Sequence, residues 1–101
     1  MKAVSLALVA SFACLSAGGA GAEGKKVTIA GCPYPGVEFA CLMIKDKDGT
    51  VYNISAASPR PVPNEVAIAL TGTVTPKLSL CMQGVVLDDI KWERSKARCP
   101  Q

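Results

Sequence analysis

Histidine is absent from all 101 residues, and aromatic residues make up only 5% of them. Without an imidazole, nucleophilic catalysis of the Ser-His-Asp or Cys-His type has no ordinary base to activate its nucleophile. A lysine could take that part, but no Ser/Lys spacing stands out. No Cys-X-X-Cys pair occurs either, which removes the usual means of favouring one redox-active thiolate. Gly-rich phosphate cradles are missing. Asp46-Lys47-Asp48-Gly49 echoes the start of a calcium loop but lacks its other ligands and its closing glutamate. Paired carboxylates able to work on sugars would have to come from Glu38, Asp88 and Asp89. Asp88 and Asp89 are neighbours and face opposite ways along a strand unless a bulge realigns them, and Glu38 beside Gly36 reads as a turn or strand-start residue. The expectation is a protein that is not an enzyme and carries no cofactor or metal.

What the chain does have begins at its N-terminus. Lys2 supplies a positive end, Ala3 to Leu15 is an uncharged and mostly apolar run, and small residues follow from Ser16 to Ala22. Ala20 and Ala22 suit the small pockets of a signal peptidase, so residues 1–22 read as a helical signal peptide and Glu23 as the first mature residue. A retained membrane span needs about 20 apolar residues; this run is shorter and decays into glycines. Cys14, after Ser11-Phe12-Ala13, loosely resembles a lipid-acceptor cysteine. Such sites usually carry leucine where Ser11 stands and a small residue where Phe12 stands, so a lipid anchor there is the minority reading. The expected address is periplasmic or secreted, with no transmembrane segment after cleavage.

The remaining residues, 23–101, read as one small domain. A chain of this size buries only about 60% of its unfolded surface, so it needs staples. Cys32, Cys41, Cys81 and Cys99 supply them, because an even number of cysteines in an exported chain reads as disulfides. A zinc site would bring its ligands in pairs two to four residues apart. Here the intervening stretches are 8, 39 and 17 residues. Four cysteines allow three pairings, and loop-closure entropy, about 4 kcal/mol for Cys41–Cys81 against nearly 3 for Cys32–Cys41, does not choose among them.

Period-two alternation dominates the pattern. Val66, Ile68, Leu70, Gly72 and Val74 fall on one face of a half-buried strand, with Ala67, Ala69, Thr71 and Thr73 on the other. Four more strands are expected: one at Val27 to Gly31, one from Val37 to Lys45, one from Thr50 to Ser55, and a last from Leu78 to about Trp92. Asp48-Gly49 marks a hairpin, and Thr75-Pro76-Lys77 reads as a tight reversal. Gly84 and Asp88-Asp89 predict a bulge or bend in the last strand. Ser58-Pro59-Arg60-Pro61-Val62-Pro63 should be extended and polyproline-like, and no stretch offers a convincing helix. Five strands with a long connection between the third and fourth outline an all-β, closed or nearly closed OB-like barrel.

Gly31, the Gly36-Val37-Glu38 step, Cys41-Leu42, the Asp48-Gly49 hairpin with Tyr52, and Cys81-Met82-Gln83-Gly84 resemble small exported bacterial proteins of unknown function with OB-like barrels. The resemblance covers roughly residues 27–92, and its motifs are mostly turn and core positions. It implies that Cys41 and Cys81 belong together, which leaves Cys32 with Cys99 to tie the tail back.

OB barrels bind single-stranded nucleic acid or oligosaccharide. From Glu23 to Ile90, six Lys/Arg nearly cancel seven Asp/Glu, and aromatics are few, so nucleic acid is not expected as a partner. Lys91, Arg94, Lys96 and Arg98 then crowd the C-terminus against Glu93 alone; a solvated basic end is the plain reading and an anionic surface the other. Tyr34, Tyr52 and Trp92 are candidates to stack on a sugar or peptide, though each serves equally as a core or rim residue. Arg60, at the tip of a proline-stiffened loop, is a candidate to enter a partner's pocket. Two functions follow: a binding module for an envelope component, oligosaccharide or exported protein, or a small secreted inhibitor or effector acting through the Pro59–Pro63 loop.

Overall fold

The computed structural model describes residues 23–100. The expected signal peptide, its cleavage point after Ala22 and Cys14 lie outside the described residues. Within them the strands are β1 (Lys26–Gly31), β2 (Tyr34–Pro35), β3 (Leu42–Lys45), β4 (Val51–Asn53), β5 (Val66–Val74) and β6 (Val85–Arg98). Among the described residues there is no helix. The strands form a single sheet in the order β1-β5-β6-β4-β3-β2.

The alternation read at 66–74 is β5 itself, with Ile68, Leu70, Gly72 and Val74 buried. Antiparallel β1 flanks it on one side and antiparallel β6 on the other. Ile29, Leu42, Ile44, Ile54, Ile68, Leu70 and Leu87 make the core, so most strands contribute one face. Asp48-Gly49 does turn a hairpin, from β3 into β4. Gly49 takes a φ of 88°, and Asp46 Oδ1 accepts hydrogen bonds from the amides of Asp48 (2.8 Å) and Thr50 (3.0 Å). A bulge falls at Asp88-Asp89: Thr73 pairs with Asp88 but Thr71 with Lys91, and Asp89 sits at φ 51°.

Four expectations are corrected. The sheet has six strands and stays open, where a closed or nearly closed five-stranded barrel was expected. Gly31 approaches the β3 end closely enough that a Cβ there would lie 3.1 Å from the Lys45 carbonyl oxygen, yet no ladder joins β1 to β3. The second long strand starts at Leu42 rather than Val37. Gly36 N–H bonds Cys41 O (2.8 Å) and Cys41 N–H bonds Glu38 O (3.2 Å); the chain curls there, with Ala40 at φ 68°. The last strand begins at Val85 rather than Leu78, so the tight reversal at Thr75–Lys77 is replaced by a ten-residue connection, 75–84. Finally, the last strand runs on to Arg98, past its expected end at about Trp92. Lys91 to Arg98 continue β6, with Val66 paired to Arg98.

Two disulfides hold the described residues together, Cys32–Cys99 and Cys41–Cys81. The first ties the loop after β1 to the end of β6. The second joins loop 36–41 to loop 75–84. Disulfides persist in oxidising compartments, which is the compartment class the cysteine count implies.

Candidate binding end

Loops 36–41 and 75–84 meet at one end of the sheet because covalent and polar ties bring them there. Beyond the Cys41–Cys81 bridge, Val37 N–H donates to Gln83 Oε1 (2.9 Å). Gly36 lies so close beneath that a Cβ would sit 2.9 Å from Cys41 Cβ and 3.0 Å from Gln83 Oε1. A polar hub anchors the longer loop to β4. Asn53, only 1% exposed, donates through Nδ2 to Cys81 O (2.7 Å) and Ser79 Oγ (3.2 Å), and its Oδ1 accepts from Ser55 N–H (3.0 Å). Cys81 N–H in turn donates to Ser79 Oγ (2.9 Å). Every buried polar side-chain atom among the described residues is satisfied.

This hub decides which way the loop's side chains point. Leu78-Ser79-Leu80-Cys81-Met82-Gln83 alternates as an amphipathic strand does, but with the opposite parity. Ser79 and Gln83 are half-buried and Cys81 buried, while the apolar members face solvent. Leu78, Leu80 and Met82, with Val37 and Phe39 on the neighbouring loop, are 85–99% exposed. A one-residue slip exchanges the faces of an extended segment, and here the disulfide and the Asn53 bonds hold the parity that turns leucine outward. Beside this cluster runs a groove of about 370 Å³, lined by Phe39, Arg60, Leu78, Leu80 and Leu87 among others.

The residues singled out in the sequence lie elsewhere or face inward. Tyr52 is 4% exposed in the core; burial pushes its phenol pKa up, with Asp46 and Asp48 adding to the rise. Tyr34 packs on the Cys41–Met43–Cys81 cluster. Trp92 packs partly against the main core, and its indole N–H donates to Pro59 O (2.8 Å). None of the three presents a free aromatic platform, because each ring completes the packing of a small core. Arg60 is exposed but engaged. Its guanidinium donates to Ala40 O and to Ser55 O (2.9 Å), clamping the proline-stiffened loop to loop 36–41. It lines the groove as a strut rather than projecting as a tip.

The candidate carboxylates stand in different surroundings. Asp88 pairs with Lys77 (2.7 Å), and the Lys77 hydrogen bond, then the Asp89 amide and the Lys77 charge, hold the Asp88 carboxyl below the usual range. Asp89 follows in the bulge, and Glu38 is exposed on loop 36–41. Among the described residues no group of three or more His, Cys, Asp or Glu is placed to hold a metal ion, and no helix is long and apolar enough to cross a membrane.

Sequence reasoning missed this apolar end because it read apolar residues as buried ones. A signal for the parity is the cysteine: Cys81 turns toward its partner Cys41, and in an extended segment that sends Leu80 and Met82 the other way. No family model, curated protein or solved structure matches this chain.

Proposed function

We propose that this chain is an exported, OB-like, non-enzymatic binding module of the periplasm or extracellular space, and that it recognises an apolar segment of another exported protein through loops 36–41 and 75–84. One observation carries the reading: five large apolar side chains are held in water on two loops that a disulfide fastens together. Burying such a side chain is worth about 1.5–3 kcal/mol, so displaying five of them forgoes stability that a partner surface can recover. Contiguous exposed apolar patches of this kind mark interaction sites.

The chemistry of this end favours protein over oligosaccharide. Sugar sites combine flat aromatic faces with convergent polar groups, whereas Phe39 is the one aromatic ring among these loops and its neighbours are aliphatic. The inhibitor reading, in which Arg60 enters a partner's cleft, has less support because that guanidinium is bonded to the protein's own carbonyls.

The test is site-specific photo-crosslinking in expressing cells, with the photoreactive residue at Leu80 and a control at Lys47 on the hairpin. The expected result is a discrete adduct to an exported protein from position 80 alone, lost when Phe39 is changed to Asp. Equal adducts from both positions, or adducts only to lipid, would overturn the proposal.

A further inference from the structure

The last strand is long, but only one stretch of it has an edge that is both free and regular. On its β5 side β6 is laddered from Leu87, opposite Val74, to Arg98, opposite Val66, and on its other side β4 reaches only Val85 and Val86. The β5 register breaks between Thr71 and Thr73 and again between Val66 and Ile68, which leaves Lys91–Arg94 as the unbroken run. Among the described residues no strand and no backbone hydrogen bond takes the outer side of this run. A row of unmet backbone donors and acceptors is a template for another extended chain.

Every charged group along the strand bears on which chain that is. Asp88 is held by Lys77, and Arg94 by Glu65. Asp89 sits in the bulge, and Lys96 and Arg98 lie beyond the second break. On the regular run this leaves Lys91 and Glu93, both exposed and two residues apart, hence on one face. An occupant carrying one sign meets its like at one of these two positions. A copy of the same strand, turned antiparallel, offers each of them the opposite sign.

We infer that the outer edge of β6 at Lys91–Arg94 pairs antiparallel with the same edge of a second copy of this chain, about a two-fold axis at Trp92. Two constraints fix the register. Alternate residues turn both N–H and C=O away from β5, so opposed residues must both point outward or both inward, and the axis then passes through one residue paired with its own copy. An axis at Lys91 or Arg94 sets like cations face to face, and one at Glu93 sets carboxylate against carboxylate, which disfavours pairing. With the axis at Trp92, Lys91 of each copy lies opposite Glu93 of the other. The Trp92 rings face one another across the axis, and cross-strand aromatic pairs stabilise a sheet. Each ring borders a recess of about 440 Å³ between β6 and Pro59, so the pairing also covers apolar surface that the single chain leaves open. This edge is separate from loops 36–41 and 75–84 and does not rest on their reading.

The experiment measures the solution mass of the disulfide-bonded protein by sedimentation at concentrations up to about 1 mM. Amide exchange across residues 87–98 and the fluorescence of Trp92, the chain's one tryptophan, are read alongside. The expected result is a concentration-dependent dimer with slowed exchange at alternate residues of 91–94 and a shifted Trp92 emission. Lys91→Glu and Glu93→Lys should each weaken it about tenfold, because both cross-strand pairs turn from attraction to repulsion. An equimolar mixture of the two variants should pair as tightly as the parent, since each supplies the sign the other lacks, and the double variant should do so alone. Both positions are exposed, and unreduced mass and spectrum check that the variants keep the fold. A monomer at every concentration, single variants that dimerise like the parent, a mixture no tighter than its components, or a dimer protected at loops 36–41 and 75–84 instead of β6 would each overturn the inference.

Discussion

Changing Asn53 to Ala tests whether the polar hub holds loop 75–84 in place. The substitution removes three hydrogen bonds, at 2.7, 3.0 and 3.2 Å. The Ser79 hydroxyl can rotate to another partner and the Cys81 carbonyl keeps its bond from Gln83 N–H (2.7 Å), but the Ser55 amide is left unpaired. A buried group left unpaired costs about 1–3 kcal/mol and the lost bond to Cys81 about 1 more, so the variant should lose roughly 3 kcal/mol. A domain of this size has on the order of 4–12 kcal/mol in total. At about 4–8 °C per kcal/mol, the midpoint should fall by roughly 12–24 °C. Urea unfolding followed by the fluorescence of Trp92, with disulfides intact, measures the loss directly. Asn53→Asp sharpens the test, because it keeps the shape and the bond from Ser55 but sets a carboxylate oxygen against the Cys81 carbonyl. That carboxyl should titrate higher in the folded than in the unfolded protein. Its penalty is then largest at neutral pH and shrinks as pH falls through the folded value. A loss below 1 kcal/mol for Asn53→Ala, or a penalty for Asn53→Asp that is the same at pH 4 and pH 7, would refute the hub as the organiser of loop 75–84.

The other expectations are more local. Gly84 has a φ of 71°, and a Cβ there would lie 2.8 Å from Val51 O; Gly84→Ala should cost about 2 kcal/mol or more and loosen amide protection at Val85 and Val86. Lys77 lowers the Asp88 pKa and Asp88 raises that of Lys77, in both cases chiefly through their hydrogen bond. The Asp88 contribution is therefore present above its unfolded pKa and lost as pH falls through the folded one, and that of Lys77 is lost as pH rises through its folded value. An NMR titration should find Asp88 low in the parent and raised in Lys77→Ala, where the Asp89 amide alone still holds it down. Removing Cys32–Cys99, which spans 67 residues, by paired serine substitution should cost about 4 kcal/mol on the chain-entropy account; chemical denaturation that differs from the parent by less than 1 kcal/mol would contradict it.

Much of the sheet was legible because it follows local rules. β5 shows in Val66–Val74 as period-two alternation, with Val66, Ile68, Leu70, Gly72 and Val74 on one face, and the β3–β4 hairpin shows in Asp48-Gly49. The bulge shows where two adjacent aspartates interrupt β6. Legibility failed where two segments of similar hydrophobicity met different fates. Val37–Phe39 and Leu78–Met82 look like core strands, yet Gly36 and Ala40 curl the first, and the second is held in inverted parity from outside itself. The exposed apolar end was hidden for the same reason. Tyr34, Tyr52 and Trp92 drew attention as rare aromatics, but a core this small has to use its large rings as filling.

The amino-acid sequence by itself therefore determined the all-β character and the dependence on disulfides, because periodicity, turn residues and cysteine count act within a few residues or through composition. Only the tertiary structure decided that the sheet stays open, that β6 keeps an unmet edge, and that five apolar side chains face water. Those outcomes depend on contacts between residues far apart in the chain, Cys41 with Cys81 and Asn53 with Cys81 above all. A local pattern carries no record of which face such distant partners will claim.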